Sequence, residues 1–380
     1  MKRRLIVSLV FLLAFSTNIF AQDAMKKWQT FNFGKQKITR SQIAKLDGEQ
    51  LQILRGIVFG KRGRIFKEKI IQQYLGKQTW YKPKENFSNA VLTKTERENL
   101  DVIRLAEAAS HDAVEPGDLR YWQIRKIPDE KLYTETAAQW RIMIAEVEAI
   151  HGKRFDSEPW LQKYFEERYW YKPNPNYSSD VLTEIERGNL EKLNAKRGED
   201  RKVAVSVGDM DKFQNVLLTE EILKGLSMND LRLIRNEFWA RRGRKFVTPG
   251  FQQVFEWREW YKPAKDQSKV KLNKIEEQNV KFIEGIEIKL REKIALEPIT
   301  AEMVDGLFVE DLRVLRNEIY ARRGRVFKDQ TLQKYFEAQS WYQPNLDFKD
   351  EMLSETESKN LAIIRETEQS AISKFAEEEG

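Results

Sequence analysis

Apolar residues recur along the chain at helical spacing. Leu51, Leu54 and Val58 stand at i, i+3 and i+7, as do Leu231, Ile234 and Phe238, and Leu312, Leu315 and Ile319. That period predicts an amphipathic helix. Each stripe runs into two basic residues and a glycine: Lys61-Arg62-Gly63, Arg241-Arg242-Gly243 and Arg322-Arg323-Gly324. A glycine there predicts the helix end, because the left-handed conformation is open to glycine without a Cβ penalty. Cations in the last turn also suit the helix dipole. A second helix is predicted over Leu332, Tyr335 and Phe336, ending near Trp341-Tyr342, where Pro344 discourages continuation. A third is predicted to start at a capping box: Thr93-x-x-Glu96, Thr183-x-x-Glu186, Ser354-x-x-Glu357 and the variant Asn273-x-x-Glu276. The capping role removes any need for a catalytic one at these glutamates.

The pattern repeats four times. From Gly63, Gly152, Gly243 and Gly324 the offset to Trp80, Trp170, Trp260 and Trp341 is 17, 18, 17 and 17 residues. Sixteen residues after each tryptophan stands the capping glutamate, and three later an asparagine: Asn99, Asn189, Asn279 and Asn360. That asparagine has nothing to cap, so it is expected to bond a neighbouring loop. The expected fold is mainly α, four tandem three-helix modules of about 70–80 residues with little or no β structure. The modules are placed at 37–109, 118–195 (divergent), 217–295 and 298–372. Modules three and four, joined by little more than Glu297-Pro298, should pack directly. The Ser110–Asp118 link and the polar stretch Lys196–Gln214 read as hinges, and Arg201–Val207 alternates enough for one short strand.

The first residues add a destination. Lys2, Arg3 and Arg4 precede an apolar run from Leu5 to Phe15, and Ala21 suits a cleavage site, with Ala24 as the alternative. Residues 1–21 thus read as a secretory signal peptide, too short to remain as a membrane span. The chain is expected to be exported, periplasmic or extracellular, with no membrane association after cleavage. Its 66 basic and 59 acidic residues give +7; without the three leader cations the balance is 63 to 59, or +4. So slight an excess does not point to nucleic acid. There is no cysteine, hence no disulfide even in an oxidising compartment, and the only histidines are His111 and His151. A histidine-based triad or metal site is hard to build from two. No metal and no cofactor is expected.

Tyr320-Ala321-Arg322-Arg323-Gly324, with Tyr335-Phe336 and Trp341-Tyr342 downstream, resembles the YARHG domain family. Arginine replaces the family's histidine in three copies (Arg62, Arg242, Arg323). The second copy keeps His151-Gly152 but has Glu148 at the tyrosine position and Ile150 at the arginine position. The resemblance implies an extracytoplasmic setting and association with the cell wall.

Aromatic faces suit sugar rings, and arginines suit carboxylates or phosphates. The candidate ligand-binding residues are therefore Arg322, Arg323 and Tyr342, with Arg241, Arg242 and Tyr261, and Lys61, Arg62 and Tyr81. Gly63, Gly152, Gly243, Gly324, Trp80, Trp170, Trp260, Trp341, Glu96, Glu186, Glu276 and Glu357 are read as structural. Arg55, Arg235 and Arg316 recur inside the first helix, where a buried arginine needs a carboxylate; Glu237, Glu318 or a capping glutamate are the expected partners. No phosphate loop, nucleophile elbow or zinc-protease motif is present, so the chain is expected not to be an enzyme, a wall hydrolase being the least favoured reading. The expected function is a binding protein of the bacterial envelope, taking cell-wall glycan or another anionic ligand. A protein–protein scaffold in the envelope is the alternative.

Overall fold

The computed structural model describes residues 25–134, 136–200 and 203–376. The leader expected over 1–21 lies outside them. The described chain is helical, with no strand, and no described helix is long and apolar enough to cross a membrane.

Each module has three principal helices. In module one these are α1 (Gly48–Gly60), α2 (Lys69–Gly76) and α3 (Lys94–Ser110); in module two α4 (Ala137–Ala149), α5 (Pro159–Glu166) and α6 (Glu184–Asp200). Module three has α7 (Met228–Arg241), α8 (Pro249–Glu256) and α9 (Lys274–Leu296), and module four α10 (Val309–Arg322), α11 (Gln330–Glu337) and α12 (Glu355–Ser370). The first helix of each module buries its stripe: Leu54, Ile57 and Val58 in α1, Ile234 and Phe238 in α7, and Leu312 and Ile319 in α10 are sealed from solvent. The short second helix of each module buries a side chain at the same place, Leu75, Phe165, Phe255 or Phe336, with Ile71 and Leu161 buried beside it in modules one and two. In modules three and four that ring stacks on the phenylalanine after the glycine turn, Phe246 or Phe327, at 5.1 Å.

Modules one and two form one compact unit, running to residue 200 apart from 136–138; modules three and four, with 136–138, form the other. Within the first unit the Ser110–Asp118 link is not a hinge. Val114 and Asp118 are buried, Val114 N–H donates to the Lys131 carbonyl at 2.9 Å, and Gly117 N–H donates to Glu146 at 2.6 Å. A segment carrying that many buried polar groups must stay docked. Residues 203–214 are likewise packed into the second unit, through Val205, Met210 and Phe213.

The strand expected at Arg201–Val207 is absent from its described part. Residues 203–207 form an irregular lead into a turn at Gly208, whose φ is +112°. Ser206 N–H donates to Asp209 at 2.9 Å, and Glu237 accepts from Gly208 and Met210 N–H at 2.6 and 3.0 Å. Local side-chain acceptors thus satisfy the backbone here, without a ladder. Modules three and four are joined more closely than the Glu297-Pro298 junction suggests. Helix α9 continues to Leu296, placing Ile294 and Ala295 in the core of module four.

Candidate binding surface at the glycine turn

The first helix of every module ends in the same geometry. Gly63, Gly152, Gly243 and Gly324 have φ of +92°, +90°, +88° and +85°. The following residue's N–H reaches back five residues, as Arg325 does to the Tyr320 carbonyl at 3.2 Å, and the glycine N–H reaches back three, as Gly324 does to Ala321 at 2.8 Å. This pair of bonds is a Schellman cap. The glycine carbonyl in turn accepts an amide from beyond the Trp-Tyr pair: Lys84, Asn174, Ala264 or Asn345, at 2.7–2.8 Å. Two turns distant in sequence are thereby sewn together.

The tyrosine of the Trp-Tyr pair completes the seam. The hydroxyls of Tyr81, Tyr171, Tyr261 and Tyr342 donate to the carbonyls of Arg64, Lys153, Arg244 and Arg325 at 2.9, 2.8, 2.8 and 2.8 Å. Tyr171, Tyr261 and Tyr342 are buried and Tyr81 is half-buried. Nearby, a glutamine of the second helix (Gln72, Gln162, Gln252 or Gln333) accepts the amide of the phenylalanine after the turn. The candidate tyrosines therefore shape the surface from beneath.

The residue before each glycine grips the capping glutamate of the third helix. Arg62 bonds Glu96 at 2.8 Å, Arg242 bonds Glu276 through Nε and Nη2 at 2.9 and 2.8 Å, and Arg323 bonds Glu357 through the same atoms at 2.9 and 3.0 Å. His151 takes the same place in module two, its Nε2 2.7 Å from Glu186. Each glutamate also accepts the N-cap amide, as from Ser354 to Glu357 at 2.7 Å. Burial pushes Glu357 up, but Arg323 and the Ser354 contacts outweigh it and hold the carboxyl below its ordinary range. Arg62, Arg242 and Arg323 nevertheless keep 37, 36 and 44 % of their side chains exposed.

The residue two before the glycine lies on the indole. Lys61 Nζ is 4.9 Å from the Trp80 ring, and the guanidinium groups of Arg241 and Arg322 are 4.2 and 4.4 Å from Trp260 and Trp341. Arg241 and Arg322 also bond Glu237 and Glu318, one turn back, at 2.6 and 2.9 Å. The indoles of Trp80, Trp170, Trp260 and Trp341 are half-buried. Three modules thus present a stacked cation beside an exposed, anchored one; module two, with Ile150 and His151, presents neither arginine.

Two sets of partners were not foreseen. Arg55, Arg235 and Arg316 pair with Glu107, Glu287 and Glu368 on the third helix, at 3.0, 2.8 and 3.2 Å, not with Glu237, Glu318 or a cap. The signal was available: those glutamates all stand eleven residues after the capping one, and module two, which lacks the arginine, has Arg197 there. The asparagines are the second case. Asn99, Asn189, Asn279 and Asn360 each accept one buried amide and donate to two carbonyls of the segment ahead of the first helix, one of which in module four is Ile294 at the end of α9; for Asn279 the partners are Leu218 N at 2.8 Å and the Phe213 and Val216 carbonyls at 2.9 Å. The contact expected from the sequence is present, and each asparagine makes it through three bonds.

In module two the first helix buries Glu146 completely. This carboxylate corresponds to Glu237 and Glu318, but no arginine follows one turn later. Burial pushes it up to about 7, the Gly117 amide pulls it down, and the Asp118 charge adds to the rise. Between its ordinary value near 4.5 and about 7, the folded chain holds a proton that the unfolded chain has released. Stability from this group is therefore full at low pH and falls as pH rises through 7. His111 acts in the same sense: its hydrogen bond to Asp118 raises it, so its contribution is lost as pH rises through the folded value. Urea unfolding is expected to show the first unit weaker at pH 8 than at pH 5 by about 2 kcal/mol. Glu146→Gln should flatten that difference; an unchanged slope would remove Glu146 as its source.

Four tandem modules sharing this helix stop, indole and buried asparagine define a repeat protein of one domain type. The YARHG domain family matches residues 30–108, 121–197, 209–288 and 292–369, most of the chain, and the chain belongs to that family. No curated protein and no solved structure matches it.

Proposed function

We propose that the chain is an exported, non-catalytic repeat protein of the bacterial envelope that binds cell-wall glycan or another anionic ligand at its glycine turns. The observation that carries this reading is the paired cation. In modules one, three and four a guanidinium is held by a capping glutamate yet stays over one-third exposed, next to a second cation lying on an indole. An arginine whose geometry is already fixed loses little freedom on meeting a carboxylate or phosphate. Three such sites on one chain raise the overall affinity of individually weak contacts. Arg62, Arg242 and Arg323 make the contact; Tyr81, Tyr261 and Tyr342 hold the turn beneath them, and Lys61, Arg241 and Arg322 fix the indoles.

The mature chain is expected to sediment with purified wall sacculi at low salt and to be released at high salt, since exposed charge contacts are screened. Combining Arg62→Gln, Arg242→Gln and Arg323→Gln should reduce the pelleted fraction at least tenfold. The matching lysine variants, which keep the charge, should retain more. Wild-type protein left in the supernatant at low salt would sink the proposal. A scaffold role has its own support in module three, where Val247 and Trp257, flanking α8, are 100 and 80 % exposed. Capture of an envelope protein that persists in high salt and is lost on Trp257→Ala would favour it.

A further inference from the structure

We infer that modules one and two also enclose a separate site, a cleft that takes a small anionic amphiphile with an apolar body and a carboxylate or phosphate head. The cleft has a volume of about 530 Å³, within the range of small-molecule sites. One wall is the short helix Arg40–Ile43, the floor is the outer face of α3, and the other wall is the segment 120–125 at the start of module two. Half-buried Val102, Leu105 and Ala106 make the floor apolar.

The rim sets the ligand's charge. Arg40, Arg120 and Arg125 border the cleft, and among the described residues no Asp or Glu lines it. Arg120 is paired outside the cleft with Asp101. Neither Arg40 nor Arg125 has a carboxylate partner among the described residues. Arg125 is nonetheless held in place: its Nη1 donates to the Tyr121 carbonyl at 2.9 Å and its guanidinium lies 4.2 Å from the Tyr121 ring centroid. A fixed guanidinium beside apolar surface is suited to a charged head whose tail covers that surface.

Module three carries different residues at the same place. Counting from the glycine turn, Arg40 corresponds to Glu220 and Ala109 to Lys289, and there Lys289 and Glu220 form a salt bridge of 2.9 Å. Val102 and Ala106 correspond to the larger Phe282 and Ile286. Module one has an arginine in place of that acid, an alanine in place of its lysine partner and smaller residues in the floor.

The test is titration calorimetry of the mature chain with dodecanoate below its micellar concentration, beside dodecyl phosphate and uncharged dodecanol. Saturable one-site binding is expected for both anions, at least tenfold tighter than for dodecanol. Arg40→Ala with Arg125→Ala should weaken dodecanoate at least tenfold. Arg40→Glu with Ala109→Lys, which rebuilds the bridge of module three, should abolish binding without lowering Tm, separating a closed cleft from a misfolded one. The Arg62, Arg242 and Arg323 variants should leave it unchanged, so this site can fail without the glycine-turn sites failing. No binding of dodecanoate, equal binding of dodecanol, or unchanged affinity in the bridge-restoring variant would overturn the inference. So would co-flotation with phosphatidylglycerol vesicles in the absence of monomer binding, which would assign the arginines to a lipid surface instead.

Discussion

Asn279→Ala is expected to cost module three about 3–5 kcal/mol, read as a drop in urea midpoint at unchanged m-value. The side chain is 1 % exposed and joins α9 to the loop ahead of α7 through three hydrogen bonds. Alanine would remove the partner that the buried Leu218 amide and Phe213 carbonyl and the part-buried Val216 carbonyl share. Each orphaned group costs about 1–3 kcal/mol, and a typical domain has only about 5–15 in total. Asn279→Asp should be nearly as damaging, since it keeps the acceptor but turns an oxygen towards two carbonyls. A loss below about 1 kcal/mol for the alanine variant would show that the loop is held by its apolar contacts alone.

The second large effect is Gly324→Ala, expected to cost about 3 kcal/mol. Its φ of +85° disfavours any L side chain by about 1–2 kcal/mol. A Cβ there would also stand 2.6 Å from Asn345 Cβ and 2.7 Å from the Gln343 carbonyl, neither of which can swing away without opening the turn. Gly285→Ala is the control. It lies inside α9 with nothing within 4 Å of an added Cβ, so alanine should stabilise by about 0.5–1 kcal/mol through helix propensity. Similar effects at the two positions in thermal unfolding would contradict the assignment of Gly324 to a close-packed left-handed turn.

Periodicity and spacing revealed much of this architecture because it is built from local rules. A stripe at i, i+3 and i+7, a left-handed glycine and a capping box each act within one or two turns of chain, so each leaves a mark that can be read in a short window. What stayed hidden depends on groups far apart in sequence. The Arg55–Glu107 pairing spans 52 residues, and only a comparison of the four repeats against one another, not either residue's own neighbourhood, links the two. The link at Ser110–Asp118 looked loose because Pro116-Gly117 and its acidic neighbours are usual in exposed loops. Its burial comes from Glu146 and Arg104, which lie outside it in sequence. The strand expected at Arg201–Val207 is absent from its described residues 203–207 for a related reason: alternation describes a pattern, but a strand also needs a partner edge. For the candidate surface, the arginines were visible and their anchoring glutamates were too, yet as separate motifs. Only the fold shows that cap and cation are one device.

Helix α9 has a mechanical consequence. Its first turns carry Asn279, which holds module three together, and its last carry Ile294 and the carbonyl that Asn360 grips in module four. Neither module can melt without stripping the other of part of its interior. A chain pulled from both termini would therefore surrender these two modules in a single rupture, with the contour length of both released at once.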